Sequence, residues 1–224
     1  MKNSSKIKNA TKACEITDKI LKKLIKNIKT FETEIDIEKF LECEAKSYNC
    51  KLAFKPVIGI GKNAAEIHHK ANNTRLVKGF LVLDIGVKYK GYCSDMTRTI
   101  FLGKPTTEEK KLYNLVLNAQ LTALKEVKPG IHAADVDAIA RSVLQNYMEN
   151  FIHGLGHGVG TRIHQKPYLS PNSKEILRKN KIITIEPGLY FKNKLGIRIE
   201  DTIVIKQKIK ILTKTKKELI IIKS

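Results

Sequence analysis

Asp84 and Asp95 lie in runs whose apolar and polar residues alternate. Leu81, Leu83, Ile85 and Val87 share one face of a predicted strand, and Val82, Asp84 and Gly86 share the other. Lys88 to Gly91 is turn material, and a two-residue loop at Tyr89-Lys90 sets Asp84 opposite Asp95 on one face of a hairpin. Like charges across a ladder repel, and a half-buried sheet keeps both only with a cation or a shared proton. A metal ion is the simplest remedy. The pattern recurs further on. Ile182, Thr184 and Glu186 alternate with Ile183 and Ile185, a return strand runs from Gly196 to Ile205, and a loop centred on Asn193 pairs Glu186 with Glu200. Arg198 falls on the face of Glu200.

Between the hairpins, the segment His153 to His164 carries His153, His157 and His164, half of the chain's six histidines, with glycines at 154, 156, 158 and 160 that let backbone and imidazoles approach a crowded site. Carboxylates with one imidazole and no thiolate suit Mn, Fe, Co or Zn. Asp84, Asp95, Glu186 and Glu200 with one of the three histidines, His153, His157 or His164, suffice for two ions sharing bridging carboxylates. A lone Asp-x-Gly is ordinarily a strand-end turn and a lone Glu-Pro-Gly a loop. Together, two registered acid pairs would store several repulsions in the fold, and that points to function.

The elements that must position these residues follow from periodicity. Ile7, Ala10, Cys14, Leu21, Leu24 and Ile28 form one face of a helix over 5–29, and a shorter helix covers 36–48. Thr106 with Glu109 opens a capped helix running to about Val127, and another runs from about Ala133 to Tyr147 after Pro129-Gly130. Helix, helix, hairpin thus occurs twice, in pseudo-repeat halves of about 5–103 and 104–210. The expected fold class is α+β, with helices outside a shared curved antiparallel sheet and the site between the halves.

At 224 residues with 42% hydrophobic composition the chain fits one globular domain, 1–224. No apolar run is long enough to span a bilayer, and Met1 to Lys6 leads into lysine rather than a signal peptide's apolar stretch, so a cytoplasmic location is expected. Cys14, Cys43, Cys50 and Cys93 are too few and too dispersed for a disulfide scaffold. The net charge of +20 is mostly lysine spread along the chain, with few arginines. That is the pattern of a solvated surface more than of a nucleic-acid or ribosome-binding face.

Leu83 to Gly86, Gly91 to Thr99, His153 to His164, Thr184 to Gly188 and Arg198 to Asp201 resemble, in order and spacing, the metal-binding blocks of the pita-bread metallopeptidases of family M24. This family includes methionine aminopeptidases, aminopeptidase P and prolidase. The resemblance implies the pita-bread fold and a dinuclear centre of Mn or Co, with Zn or Fe as alternatives, ligated by Asp84, Asp95, His157, Glu186 and Glu200. It implies attack of a metal-bridging hydroxide on a peptide bond near the substrate's N-terminus. Glu186 would double as proton shuttle, His164 would hydrogen-bond the oxyanion, and His68, within Gly61 to His68, would contact the substrate amide. His153 and Arg198 would contact substrate or orient a ligand. Ser94 to Arg98, His153 and Arg198 to Asp201 are similar to the proline-specific branch, which implies an Xaa-Pro aminopeptidase or dipeptidase, as monomer or homodimer, without the N-terminal domain of those relatives. The rivals are a methionine aminopeptidase, whose lysine surface would suit ribosomal RNA, and an inactive peptide- or nucleic-acid-binding scaffold.

Overall fold

In the computed structural model, which describes residues 2–223, the apolar stripe of the first segment is buried as helix α1 (Lys2–Lys26). It ends at Lys26, three residues before the expected limit, and beyond Asn27 the chain tightens into a 3-10 turn at Ile28–Thr30. Met1, part of the lysine-rich start read against a signal peptide, lies outside the described residues. Helix α2 (Glu34–Ser47) begins two residues earlier than expected because Thr33 and Asp36 form a reciprocal capping box. The expected Thr106/Glu109 box opens α3 (Thr107–Glu126). Such a cap contributes about 1 kcal/mol.

Helix α4 (Ala133–Val143) is shorter than expected, and Gln145–Asn150 continues as a 3-10 turn with Tyr147 outside helical geometry. Arg141 explains the break. Held by Asp137 at 2.7 Å, its guanidinium draws the Phe151 and His153 carbonyls back against α4, at 3.0 and 2.7 Å, and a continued helix would carry them away.

The strands fall in two groups. After α2 come β1 (Lys51–Leu52), β2 (Val57–Ile60), β3 (Gly79–Ile85), β4 (Val87–Tyr89), β5 (Tyr92–Cys93) and β6 (Met96–Leu102). After α4 come β7 (Gly156–Gly158), β8 (Gln165–Leu169), β9 (Ile182–Ile185), β10 (Gly188–Phe191), β11 (Leu195–Arg198) and β12 (Asp201–Val204), then the short β13 (Lys210–Ile211) and β14 (Ile221–Ile222). The first sheet is ordered β14-β6-β3-β2 and the second β13-β12-β9-β7-β8. They meet at β6, whose Thr97 carbonyl accepts from Glu200 N at 3.1 Å. Among the described residues all strand pairings are antiparallel except β14 against β6, which is parallel and was not anticipated from the sequence.

Alternation along the strands separates two environments. Leu81, Leu83 and Ile85 pack with α1 and α2 in one core, and Ile183, Ile185, Ile197, Ile199 and Ile203 with α3 and α4 in another. The intervening residues, Asp84, Thr184, Arg198 and Glu200 among them, point away from the helices. The helical covers therefore dictate which side chains reach the site.

The hairpin registers differ in how they met expectation. The first loop is Lys90-Gly91, both in left-handed conformation (φ 46° and 82°), as a tight two-residue hairpin loop requires. Displacing the loop by one residue slides the register by two, so Asp84 pairs with Thr97 and not with Asp95. A slip of two preserves the face, so both acids still point into the same space. The second hairpin turns at Asn193 as expected, with Gly188 opposite Arg198 and Ile185 opposite Asp201. Its return arm is interrupted at Ile199-Glu200, between β11 and β12.

Candidate metal centre

Asp84 at the end of β3, Asp95 entering β6, His157 in β7, Glu186 just after β9 and Glu200 just before β12 line one cavity of about 250 Å³. One ligand atom each from Asp95, His157 and Glu200 lie within 4.8 Å of one another. His157 Nε2 is 3.2 Å from Glu186 Oε1 and 3.5 Å from Asp95 Oδ2. Its Nδ1 faces the Gly158 carbonyl at 3.2 Å. That bond holds a proton on Nδ1, so Nε2, which the facing Glu186 carboxylate favours protonated, is the nitrogen a cation would take in exchange for that proton.

Hydroxyls and one guanidinium orient the carboxylates. Thr97 Oγ1 donates to Glu200 Oε2 at 2.7 Å, and Thr184 Oγ1 to Glu186 Oε1 at 2.9 Å. Arg198 donates to Asp84 Oδ2 at 2.7 Å, to Thr97 Oγ1 at 3.0 Å and to Tyr190 Oη at 2.9 Å. Of the two tasks read for Arg198, holding a carboxylate is therefore the one its geometry displays. His153 reaches the same network, Nε2 lying 2.9 Å from Tyr190 Oη. Gly156 sits where a Cβ would strike the Thr184 carbonyl, so the close passage of β7 against β9 requires glycine there.

Electrostatically the cluster is frustrated. Burial pushes the Asp95 carboxyl well above its ordinary range, and Glu200, Asp84 and Glu186 push it further. Glu200 is raised in the same way by burial and by Glu186 and Asp84. Burial also raises Asp84, against the opposing charge of Arg198. Glu186 alone goes down, to about 2, because the hydrogen bond and charge of His157 outweigh its burial. Asp84 Oδ1 and Glu200 Oε1 are buried with no hydrogen-bond partner. Orphaned carboxylate oxygens among acids that repel one another fit a multivalent cation. The donor set, oxygen with one imidazole, fits a divalent first-row ion.

His68 and His164 are exposed on the cavity wall, the His164 ring standing edge-on to His157 at 4.4 Å. His153 lies off this cavity, on a second one of about 520 Å³ that shares His68, His157, His164 and Glu186 and extends to Ile152, Tyr168 and Ser170. Sequence reasoning passed over Thr97, Thr184 and Tyr190. A period-two reading finds all three, since each shares the strand face of a candidate ligand. The wall formed by Phe54, Pro56, Val57 and Ile163 had no such signal.

A family model for metallopeptidase family M24 matches residues 8–207. The chain belongs to that family. This M24 chain is 42% identical to an Xaa-Pro dipeptidase of Pyrococcus horikoshii, over 98% of its own length and 64% of the relative's. Its fold matches a crystal structure of a prolidase from Thermococcus sibiricus with a TM-score of 0.95 at 39% identity, covering 98% of this chain and 61% of that one. An X-Pro aminopeptidase from Thermotoga maritima matches with a TM-score of 0.94 at 32% identity, covering 98% and 64%. The pita-bread arrangement expected from the sequence is thus the observed one. The M24 chain spans less than two thirds of the length of these relatives. No helix among its described residues is long and apolar enough to cross a membrane.

Proposed function

We propose that this M24 chain is the catalytic unit of an exopeptidase that hydrolyses the bond between an N-terminal residue and proline. The carrying observation is the cavity in which Asp84, Asp95, His157, Glu186 and Glu200 converge with two orphaned carboxylate oxygens. The likeness to Xaa-Pro dipeptidases and an X-Pro aminopeptidase supports the proline preference. Two divalent ions, Mn or Co foremost and Zn or Fe as alternatives, held by these residues would supply Lewis acidity and an acidified water.

The chain's own groups supply the rest. Glu186 Oε1 is engaged by Thr184 and His157, which leaves Oε2 to take the proton of the attacking water and pass it to the departing proline nitrogen. His164 and His68 line both cavities, and in this reading they would donate hydrogen bonds to the scissile carbonyl and its flanking amide that strengthen as charge develops on oxygen. Arg198 fixes Asp84, and Tyr190 links Arg198 to His153. Lys55 and Lys70 line the smaller cavity and Ile152 and Tyr168 the larger, so a peptide laid over Glu186 enters both. The four cysteines are free thiols, consistent with work in a reducing, cytoplasmic setting.

The test is hydrolysis of Met-Ala-Ser, Ala-Pro and Ala-Pro-Ala by purified protein with Mn²⁺ or Co²⁺ and a chelator control. Metal-dependent cleavage of the proline peptides is expected. Release of Met alone, or silence on all three, overturns the reading.

A further inference from the structure

His69, beside the substrate-facing candidate His68, is buried, and both of its ring nitrogens meet carboxylates. Nε2 lies 2.8 Å from Glu34 Oε2 and Nδ1 3.0 Å from Glu66 Oε2. Glu34, the first residue of α2, is wholly buried at a helix N-terminus that favours its negative charge. It also accepts from Ile60 N at 2.9 Å, Asn63 Nδ2 at 3.0 Å and Asn72 N at 3.2 Å, so the segment from Ile60 to Asn72 is wrapped around one carboxylate. Glu66 is different, with its side chain 68% exposed and no role in the core.

We propose that His69, gripped through both ring nitrogens by Glu34 and Glu66, is a positioning residue that sets His68 against the metal centre and releases it on losing its proton. A neutral imidazole donates from one nitrogen only, so two carboxylate contacts are satisfied together only by the imidazolium. The Glu66 to His69 contact closes a short loop of chain with Ile67 and His68 at its tip, reinforced by His69 N donating to the Glu66 carbonyl at 3.1 Å. Arg198 touches the same tip through the Ile67 carbonyl at 3.4 Å. On deprotonation the proton stays on Nε2, where buried Glu34 demands it, and the Nδ1 contact to exposed Glu66 is the one given up.

The other charged or titratable groups nearby are His68 and Lys70 on the same segment, Arg198 against the Ile67 carbonyl and Lys55 on the facing wall. The segment 72–74 presents only Asn72, Asn73 and Thr74. Burial lowers the His69 imidazolium's affinity for its proton, and the two carboxylates more than restore it, for a net rise above the ordinary value. The sign follows. The clamp is complete below the ordinary histidine value of about 6.5 and is lost as pH rises through the raised one.

The role assigned to His68 rests on the peptidase reading, whereas the clamp does not, and the experiment separates them. The His69 ring is titrated by NMR in the full chain and in Glu66→Gln, amide exchange at Ile67 and His68 is followed alongside, and kcat/KM for Ala-Pro-Ala is measured against pH with Mn²⁺. Glu66→Gln is expected to move the His69 titration down, to speed exchange at the tip, and to shift the basic limb of kcat/KM to lower pH. Above that limb the loss is about 10- to 100-fold, the scale of a misplaced positioning group. His69→Gln is expected to remove the limb's dependence on this group. An unmoved His69 titration in Glu66→Gln overturns the clamp. A moved titration with unchanged exchange and an unchanged limb overturns its link to His68. If no peptide is hydrolysed, the functional reading fails while titration and exchange still decide the clamp.

Discussion

Two buried charge clusters lie back to back on the same strands. On one face are Asp84, Thr97, Arg198 and Glu200; one residue along, on the other, are Arg98 and Asp201, joined from α3 by Gln120. Asp201 takes Arg98 at 2.7 Å, Thr213 at 2.8 Å, Gln120 at 2.9 Å and Lys217 at 2.8 Å. Arg98 caps the Thr97, Glu200 and Thr215 carbonyls with its remaining donors. No polar side-chain atom of that cluster is left orphaned, whereas the first leaves Asp84 Oδ1 and Glu200 Oε1 without partners. The same β-strand alternation thus makes a structural ion pair on one face and an unsatisfied site on the other. Burial of charge is common to both, and satisfaction is what tells them apart.

The largest expected effect breaks the site face. Asp95→Asn is expected to abolish peptide hydrolysis while leaving chelator-treated protein as stable as the parent or more so, because the raised Asp95 carboxyl is replaced by a neutral group of the same shape. Retained hydrolysis, or marked destabilisation in urea, would count against the assignment. On the opposite face the sign reverses. Asp201→Asn leaves Arg98 buried with an uncompensated charge, and a loss of about 3–5 kcal/mol in denaturant unfolding is expected. A smaller effect separates the faces again: Mn²⁺ at about 100 times its dissociation constant should stabilise the parent by about 2.7 kcal/mol and Asp95→Asn by far less. Equal stabilisation of both in a thermal melt would place the ion elsewhere.

Most of this contrast is legible in the sequence, and the part that is not has a physical reason. Period two assigned Asp84, Glu186 and Glu200 to the face opposite the helices whatever the exact loop, which is why misplacing the first turn by one residue did not disturb the site. Lys90 was the obstacle, since a non-glycine residue at positive φ gives no warning. The second hairpin was readable because Asn193 tolerates the left-handed region. The segment beyond Ile205 carried no periodic signal. It is held by contacts distant in sequence: Asp18 accepts from Thr215 N and Lys214 N, and Tyr113 donates to the Lys217 carbonyl. The Glu34, His69 and Glu66 clamp was missed for the same reason, as its acids come from different elements.

The subtlest expected effect is in pH, where the faces should pull in opposite directions. Asp95 and Glu200 titrate above their unfolded values through burial and mutual repulsion, so their contribution to stability is present in acid and lost as pH rises through the raised folded values. Asp201 is also raised by burial, but Arg98 and Lys217 more than reverse it; its contribution is present above the ordinary value of 3.8 and lost as pH falls through the lowered one. Chelator-treated protein should therefore gain stability on mild acidification from neutral pH and lose it in stronger acid. Divalent ions, which bind deprotonated ligands, should remove the first slope and leave the second. Asp201→Asn should do the converse. A urea series across pH that showed the mild-acid gain surviving both added Mn²⁺ and Asp95→Asn would mean that the repulsion sits outside the cluster of Asp84, Asp95, Glu186 and Glu200.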